Sequence, residues 1–379
     1  MMQSVIKHII ITALAFLVVS FFAVLTLNVS FLSPIARVME DFSMTDIFYQ
    51  VQRDGGECDT SRAVTIVDMT ELYSRRDLAQ TLEVVASLQP KTIGVDVVFE
   101  GLKEDSVGDD MIGRIALLHQ NMVFSYKLFN YENDSIGYTD DVHSFFADEM
   151  PIHEGFTNMP RNLYGGMKRE LSLGRKVRGE LKPSLILEVT NRYAGRDVVP
   201  LEDRDVQVNF TPLHFPVVSP DSLLAYQDRI RDHVVLFGAM KDENDMHYTP
   251  LGKMAGVELL AYSVETLLRQ KEVSVVSGCG YWLITVLIVF LTSVLLSHYK
   301  QFFEKCRNQF LRFLMTTTFM TGLFLFIWMT LLTGLAFLVF SLFHVSFNLG
   351  WAFAAIAFLS SSAAFCDVCI KTIIKPLKQ

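Results

Sequence analysis

The sequence predicts an α/β fold, a three-layer domain on a mostly parallel sheet, together with four transmembrane helices. Three observations predict it. The stretch Ala63–Glu100 (AVTIVDMTELYSRRDLAQTLEVVASLQPKTIGVDVVFE) places two β-branched runs, Val64–Asp68 and Ile93–Phe99, on either side of an amphipathic segment. Such runs, bounded by turn signals and separated by a helical period, mark parallel strands buried on both faces. The second observation is where the apolar residues lie. They make up 51% of the chain, and they concentrate in Ile9–Leu27, in Tyr281–Ser297 and in Phe313–Phe365, a stretch with no Asp, Glu, Lys or Arg. A span needs roughly 20 residues, so the last stretch accommodates two.

The third observation is the partition of charge. Outside residues 32–280 there are eight Lys or Arg and two acids, whereas inside that window 25 basic residues face 39 acids. Basic residues collect on the cytoplasmic side of short loops. The expected topology therefore puts both termini and the basic 298–312 loop in the cytoplasm and the acidic region outside. The expected domains are an amino-terminal signal anchor (1–32), an extracytoplasmic α/β domain (33–276), and three further spans with the loop and a short tail (277–379). The first run exceeds the usual core of a cleaved signal, and no small-x-small site follows it, which favours an uncleaved anchor.

In chain order, Ser33–Pro34 is a turn signal, and residues Ile35–Val51 have apolar positions at helical spacing. Residues 52–62, with Gly55–Gly56, read as loop. After the first strand, Arg75–Leu88 forms a crossover helix whose Leu78, Leu82, Val85 and Leu88 make the apolar stripe, and Pro90 ends it. The second strand runs to Phe99. A helix around Met111–Leu118 and a third strand, Asn121–Leu128, extend the βαβ ladder. From Phe129 to Arg178 the period is lost, and a long excursion with a hairpin near Gly165–Gly166 is expected; Arg169, Arg175, Lys176 and Arg178 there form a local positive cluster, read as a solvated face or an anion-binding patch. Order returns with a helix over Pro183–Tyr193, short elements at Val206–Phe210 and Pro220–Tyr226, a buried strand at His233–Met240, and a final helix at Gly256–Arg269.

Cysteine is sparse. Cys58 is the only thiol of the external region, so no disulfide within it is available and its stability must come from a packed core. Cys366 and Cys369 have redox or half-zinc spacing, but no second pair completes four ligands.

One amino-terminal span, an external α/β domain and three closely spaced carboxyl-terminal spans resemble bacterial proteins carrying the second type of CHASE domain, the sensory extracellular domain associated with cyclases and histidine kinases. The resemblance rests on AVTIVDMTE at 63–71, PKTIGVDVVFE at 90–100, Gly166–Met167–Lys168–Arg169, VVSPDSLL at 217–224 and, most specifically, HVVLFGAMKDENDMHYTPLGKMAGVELLAYSVETLL at 233–268. Ala255 stands where the family usually has Pro before Gly-Val-Glu. The resemblance implies a sensory role. The family commonly ends in a kinase, cyclase or phosphodiesterase module, and none is expected here, so a signal would pass through a separate partner that reads the membrane helices, the 298–312 loop or the tail.

The candidate site residues are acids and their neighbours at the carboxyl edge of the sheet, where open parallel sheets bind ligands. Asp68 and Asp96 end the first two strands; Asn244, Asp245 and Thr249 lie in the loop after the late strand; Glu258 lies in the first turns of the last helix. Convergence of these groups would hold an ion or the hydroxyl or amine groups of a small molecule, since unpaired charge does not stay buried. In the competing reading Asp68 and Asp96 cap loops and Glu258 answers its helix terminus. His247 is expected to be an exposed loop residue.

Enzymatic signals are missing: there is no Gly-x-Gly-x-x-Gly turn after a strand, no phosphate loop and no Gly-x-Ser-x-Gly elbow. No enzyme, no cofactor and no metal is expected, and an acidic external domain disfavours nucleic acid. The function expected is a membrane-bound sensor or signal-input subunit with a small-molecule or ion ligand and a separate signalling or envelope partner. The alternative is a structural or scaffolding subunit of an envelope complex. Either admits a homo-oligomer. A transporter is disfavoured because the spans have almost no ionisable residue at midplane.

Overall fold

The computed structural model describes residues 2–28, 43–56, 58–160 and 166–370. The Ser33–Pro34 turn, the start of the helix expected from Ile35, Gly165 and the lysines of the tail lie outside the described residues. The chain divides into two units, Asp46–Val273 and the pair of segments Met1–Thr45 and Ser274–Gln379.

The first unit is the α/β domain. Its elements in chain order are α1 (Met44–Gly55), β1 (Val64–Asp68), α2 (Arg75–Ser87), β2 (Thr92–Val95), α3 (Ser106–Leu118), β3 (Met122–Asn133), β4 (Gly137–Val142), β5 (His153–Phe156), β6 (Gly174–Val177), β7 (Glu180–Pro183), α4 (Leu185–Ala194), β8 (Val217–Val218), β9 (Val234–Gly238), β10 (Met246–Thr249), β11 (Gly252–Ala255) and α5 (Gly256–Leu268). The main sheet runs β8-β1-β9-β2-β3-β4-β6-β7, with β5 alongside the first half of β3. Strands β8, β1, β9, β2, β3 and β5 are parallel, whereas the β3–β4 and β6–β7 pairs are antiparallel.

Alternation along the strands builds the three layers. Val67, Ile93, Val95, Val235 and Phe237 point to one face and pack with Leu82 and Val85 of α2 and Ile112 and Ile115 of α3. The intervening positions point to α4 and α5. There Gly94 leaves room for Val189 of α4 and Leu236 of β9; a Cβ on it would stand 2.9 Å from a carbon of each. Ser74 caps α2 and Ser184 caps α4, each accepting a hydrogen bond from a backbone N–H of the first turn.

Several boundaries differ from the sequence reading. The helix α1 continues through Gly55, which the sequence assigns to a loop. Strand pairing on β2 stops at Val95, not Phe99, because the chain then turns away and the Phe99 N–H is taken by Ser144 Oγ at 3.2 Å. In contrast β3 outruns its apolar period, reaching Asn133 before turning back into β4. The excursion from Phe129 to Arg178 holds β4, β5 and β6, and β7 follows it; these short, charge-bearing strands carry too few residues to show a period. Residues Asp205–Gln207 pair with Glu170–Ser172 in a separate two-stranded sheet, and Pro220–Tyr226 is a 3₁₀ turn. The basic residues expected to form a positive cluster are each engaged by an acid or a carbonyl. Arg169 reaches Asp46 of α1 with two hydrogen bonds of 2.9 and 2.6 Å, Arg175 pairs with Asp203 and Asp205, Arg178 pairs with Asp141, and Lys176 donates to the Asp134 carbonyl.

Among the described residues the second unit contains four helices long and apolar enough to cross a membrane: Ser4–Val24 within the helix Met2–Asn28, and Gly278–Glu304, Thr318–Phe343 and Gly350–Cys369. A short helix, Gln309–Thr316, precedes the third of these. Small residues let the first and fourth approach closely, with Ala15, Ala352 and Ala355 fully buried beside Ile11, Ile356 and Leu359. Lys7 and Asp367 form an ion pair of 2.6 Å at one end of these two helices. At the other end of the bundle Ser274–Val275 pairs with Val345–Ser346, between the third and fourth helices. Inside, His8 Nδ1 lies 2.9 Å from Ser293 Oγ, and Trp328 donates to Thr292 Oγ1 at 2.9 Å.

Candidate ligand-binding pocket at the carboxyl edge of the sheet

Strand order decides which acids can meet. Because β9 lies between β1 and β2, Asp68 and Asp96 sit two strands apart, about 10 Å at ordinary strand spacing. Asp68 faces Gly238 in register, and its Oδ1 accepts from the Thr70 N–H at 2.9 Å and the Met240 N–H at 3.1 Å. Thr70 Oγ1 also donates to this oxygen and accepts from the Met240 and Lys241 N–H groups. Asp68 thus ties the loop after β1 to the loop after β9, the capping role that the sequence reading sets against ligand binding.

Asp96 is different. Its backbone N–H continues the ladder to the Phe237 carbonyl at 2.9 Å, yet no hydrogen bond from a described residue reaches its carboxylate. Instead the carboxylate opens into a cavity of about 210 Å³ that Lys127, Thr157, Asn158, Asp245, His247 and Leu260 also line. Burial pushes the Asp96 carboxyl up to about 6; Lys127 opposes that shift, the Asp245 charge adds to it, and His247 opposes it.

Asp245 arrives from the short turn Glu243–Asp245 that follows β9. Its carboxylate rests against Gly256, the first residue of α5, where a Cβ would collide with both carboxylate oxygens. Only glycine allows this approach. The amino end of α5 also carries partial positive charge toward the acid. His247 on β10 stands with Nε2 3.3 Å from Asp245 Oδ1 and is only 20% exposed, so the exposed position expected for it is corrected. Across the cavity, Asn158 replaces a strand residue by pairing its side-chain amide with both backbone groups of Leu128, at 2.7 and 2.8 Å. Thr157 is 9% exposed, and its buried Oγ1 has no hydrogen-bond partner among the described residues.

Of the six residues singled out in the sequence, Asp96 and Asp245 line this cavity, and Asp68, Asn244, Thr249 and Glu258 do not. Asn244 is exposed, with its N–H held by Asp242 at 2.9 Å. Thr249 is buried and closes the β10–β11 turn by donating to the Gly252 carbonyl at 2.8 Å. Glu258 is half-buried on α5; burial raises its carboxyl, and the charge of His214 opposes the rise. The sequence reading misses Lys127, Thr157 and Asn158. Lys127 carries a legible signal, a single cation inside the apolar run of β3, whereas Thr157 and Asn158 follow β5, a strand too short to announce itself. Among the described residues no three His, Cys, Asp or Glu side chains are placed to share a metal ion. The cavity presents the carboxylates of Asp96 and Asp245 together with the polar side chains of Lys127, His247 and Asn158.

A family model described as the CHASE2 domain matches residues 14–297, about three quarters of the chain. The chain belongs to the CHASE2 family. CHASE2 domains are sensory and extracellular, and the match runs from within the first apolar helix, through the whole α/β domain, into the second. No curated protein and no solved structure matches the chain.

Proposed function

We propose that this CHASE2 protein is a non-enzymatic, membrane-bound sensor of the bacterial inner membrane, with its α/β domain in the periplasm and both termini in the cytoplasm. A small polar ligand fills the Asp96 pocket. Occupancy is passed through the membrane helices to a separate cytoplasmic or membrane partner. The observation that carries this reading is the Asp96 carboxylate, which opens into the cavity and accepts no hydrogen bond from a described residue. A carboxylate that faces a cavity without a donor from the described protein is open to a ligand amine or hydroxyl. The cavity is smaller than typical drug-sized sites, which points to a metabolite of a few heavy atoms bearing an amine and an acceptor group. For a sensor the ligand must bind two states of the protein unequally.

The test is a thermal-shift screen of the full-length protein in nanodiscs against small amino acids, amines and polyols. At least one class is expected to raise Tm saturably in the wild type and not in Asp96→Asn. If no compound shifts Tm, and purification from membranes retains only structural envelope proteins, the scaffolding alternative replaces the sensor.

A further inference from the structure

A second cavity, of about 620 Å³, opens at the opposite, amino edge of the sheet, beside Ala63 at the start of β1. Its walls carry Arg62, Arg229 and Arg269 together with Tyr193, Asp59 and Glu265. Two of these charges satisfy each other. Glu265, 4% exposed, accepts from Arg269 Nε at 2.7 Å and from the Ser61 hydroxyl. Arg269 also answers the partial negative charge at the carboxyl end of α5.

Arg62 and Arg229 remain. Both are exposed, they come from different elements, and neither forms an ion pair with any described residue. Most described arginines of this acidic domain hold a carboxylate instead. Lys91 adds a further cation, its Nζ lying 4.9 Å from the centre of the Tyr193 ring that lines the cavity. Asp59 on the wall, and Asp232, whose charge reaches the Tyr193 hydroxyl, oppose them. Guanidinium groups without an ion-pair partner that line one cavity with a phenol match the oxygens of a tetrahedral dianion, to which each can donate two parallel N–H bonds.

We propose that this amino-edge cavity is an anion-binding site that takes a phosphate group between Arg62 and Arg229, separate from the Asp96 pocket and independent of what binds there. The phosphate has two sources, free phosphate-bearing solutes or the headgroup of an anionic lipid. Full-length protein in phosphatidylcholine nanodiscs would be titrated with inorganic phosphate at constant ionic strength, following Tm and the calorimetric isotherm, and compared with protein in nanodiscs containing phosphatidylglycerol. A saturable response to phosphate assigns the free solute, and a response to phosphatidylglycerol alone assigns the lipid. In either arm, losing both arginines in Arg62→Ala/Arg229→Ala should weaken the response by about tenfold or more per guanidinium. Arg62→Lys/Arg229→Lys should keep part of it, Asp59→Asn should strengthen it, and Arg114→Ala, an exposed arginine outside the cavity, should leave it unchanged. Each variant's Tm without ligand reports whether it folds. The proposal is overturned if neither phosphate nor phosphatidylglycerol acts, or if the folded double alanine variant responds as the wild type does.

Discussion

Asp96 follows the last paired residue of β2, and its protein surroundings disfavour its charged form more than Lys127 and His247 favour it. In the unfolded chain an Asp titrates near 4, and in the folded protein Asp96 titrates at about 6. Between those values the native state keeps a proton that the unfolded state has released. Its contribution to stability is therefore present at about pH 4, lost as pH rises through about 6, and not regained above. Asp96→Asn should flatten that dependence and stabilise the protein at neutral pH by on the order of 2 kcal/mol. Denaturant unfolding from pH 4 to 8 measures it, and an unchanged slope in the variant would refute the assignment. An amine ligand should bind more tightly as pH rises past about 6, since Asp96 then carries charge. The sequence already marks this residue, as an acid inside an apolar run, and Lys127 bears the mirror-image mark. His247 bears none, because its partial burial comes from the β10–β11 hairpin folding back beside Asp96.

At the scale of elements, the site depends on how closely the turn after β9 can approach α5. Gly256 is the point of contact. Gly256→Ala should change stability little, because alanine favours a helix and the atoms it would meet belong to the end of a side chain that can swing away. It should nonetheless displace the Asp245 carboxylate and weaken ligand binding by about tenfold, the loss of one charge-assisted contact. Thermal unfolding and ligand titration of the same variant separate the two effects; a variant that binds as the wild type does would remove Asp245 from the site. The Gly-Val-Glu pattern is legible in the sequence as a helix start. What the glycine is for is not legible, since its neighbour Asp245 is eleven residues away and meets it only through the hairpin. The same holds for Arg169. Its pairing with Asp46 joins residues 123 positions apart, and no local pattern announces it.

At the scale of the whole molecule, the proposed orientation predicts the reactivity of native thiols. Cys58 is exposed on the α/β domain, and Cys306 follows the second membrane helix in the basic loop. In single-cysteine variants an impermeant maleimide should label Cys58 in spheroplasts and Cys306 only after the membrane is opened. Labelling of Cys306 from outside would invert the topology. The sequence by itself determined the class of the domain, the four apolar helices and the charge asymmetry on which this orientation rests. These follow from hydropathy and its period along the chain, which local burial dictates. Which acids share a cavity was decided only by tertiary structure: β9, some 140 residues beyond β2, inserts between β1 and β2, and so it separates Asp68 from Asp96 and carries Asp245 in beside Asp96. Strand order of this kind is set by packing between faces distant in sequence, and a strand's own residues state that it is buried without stating beside whom.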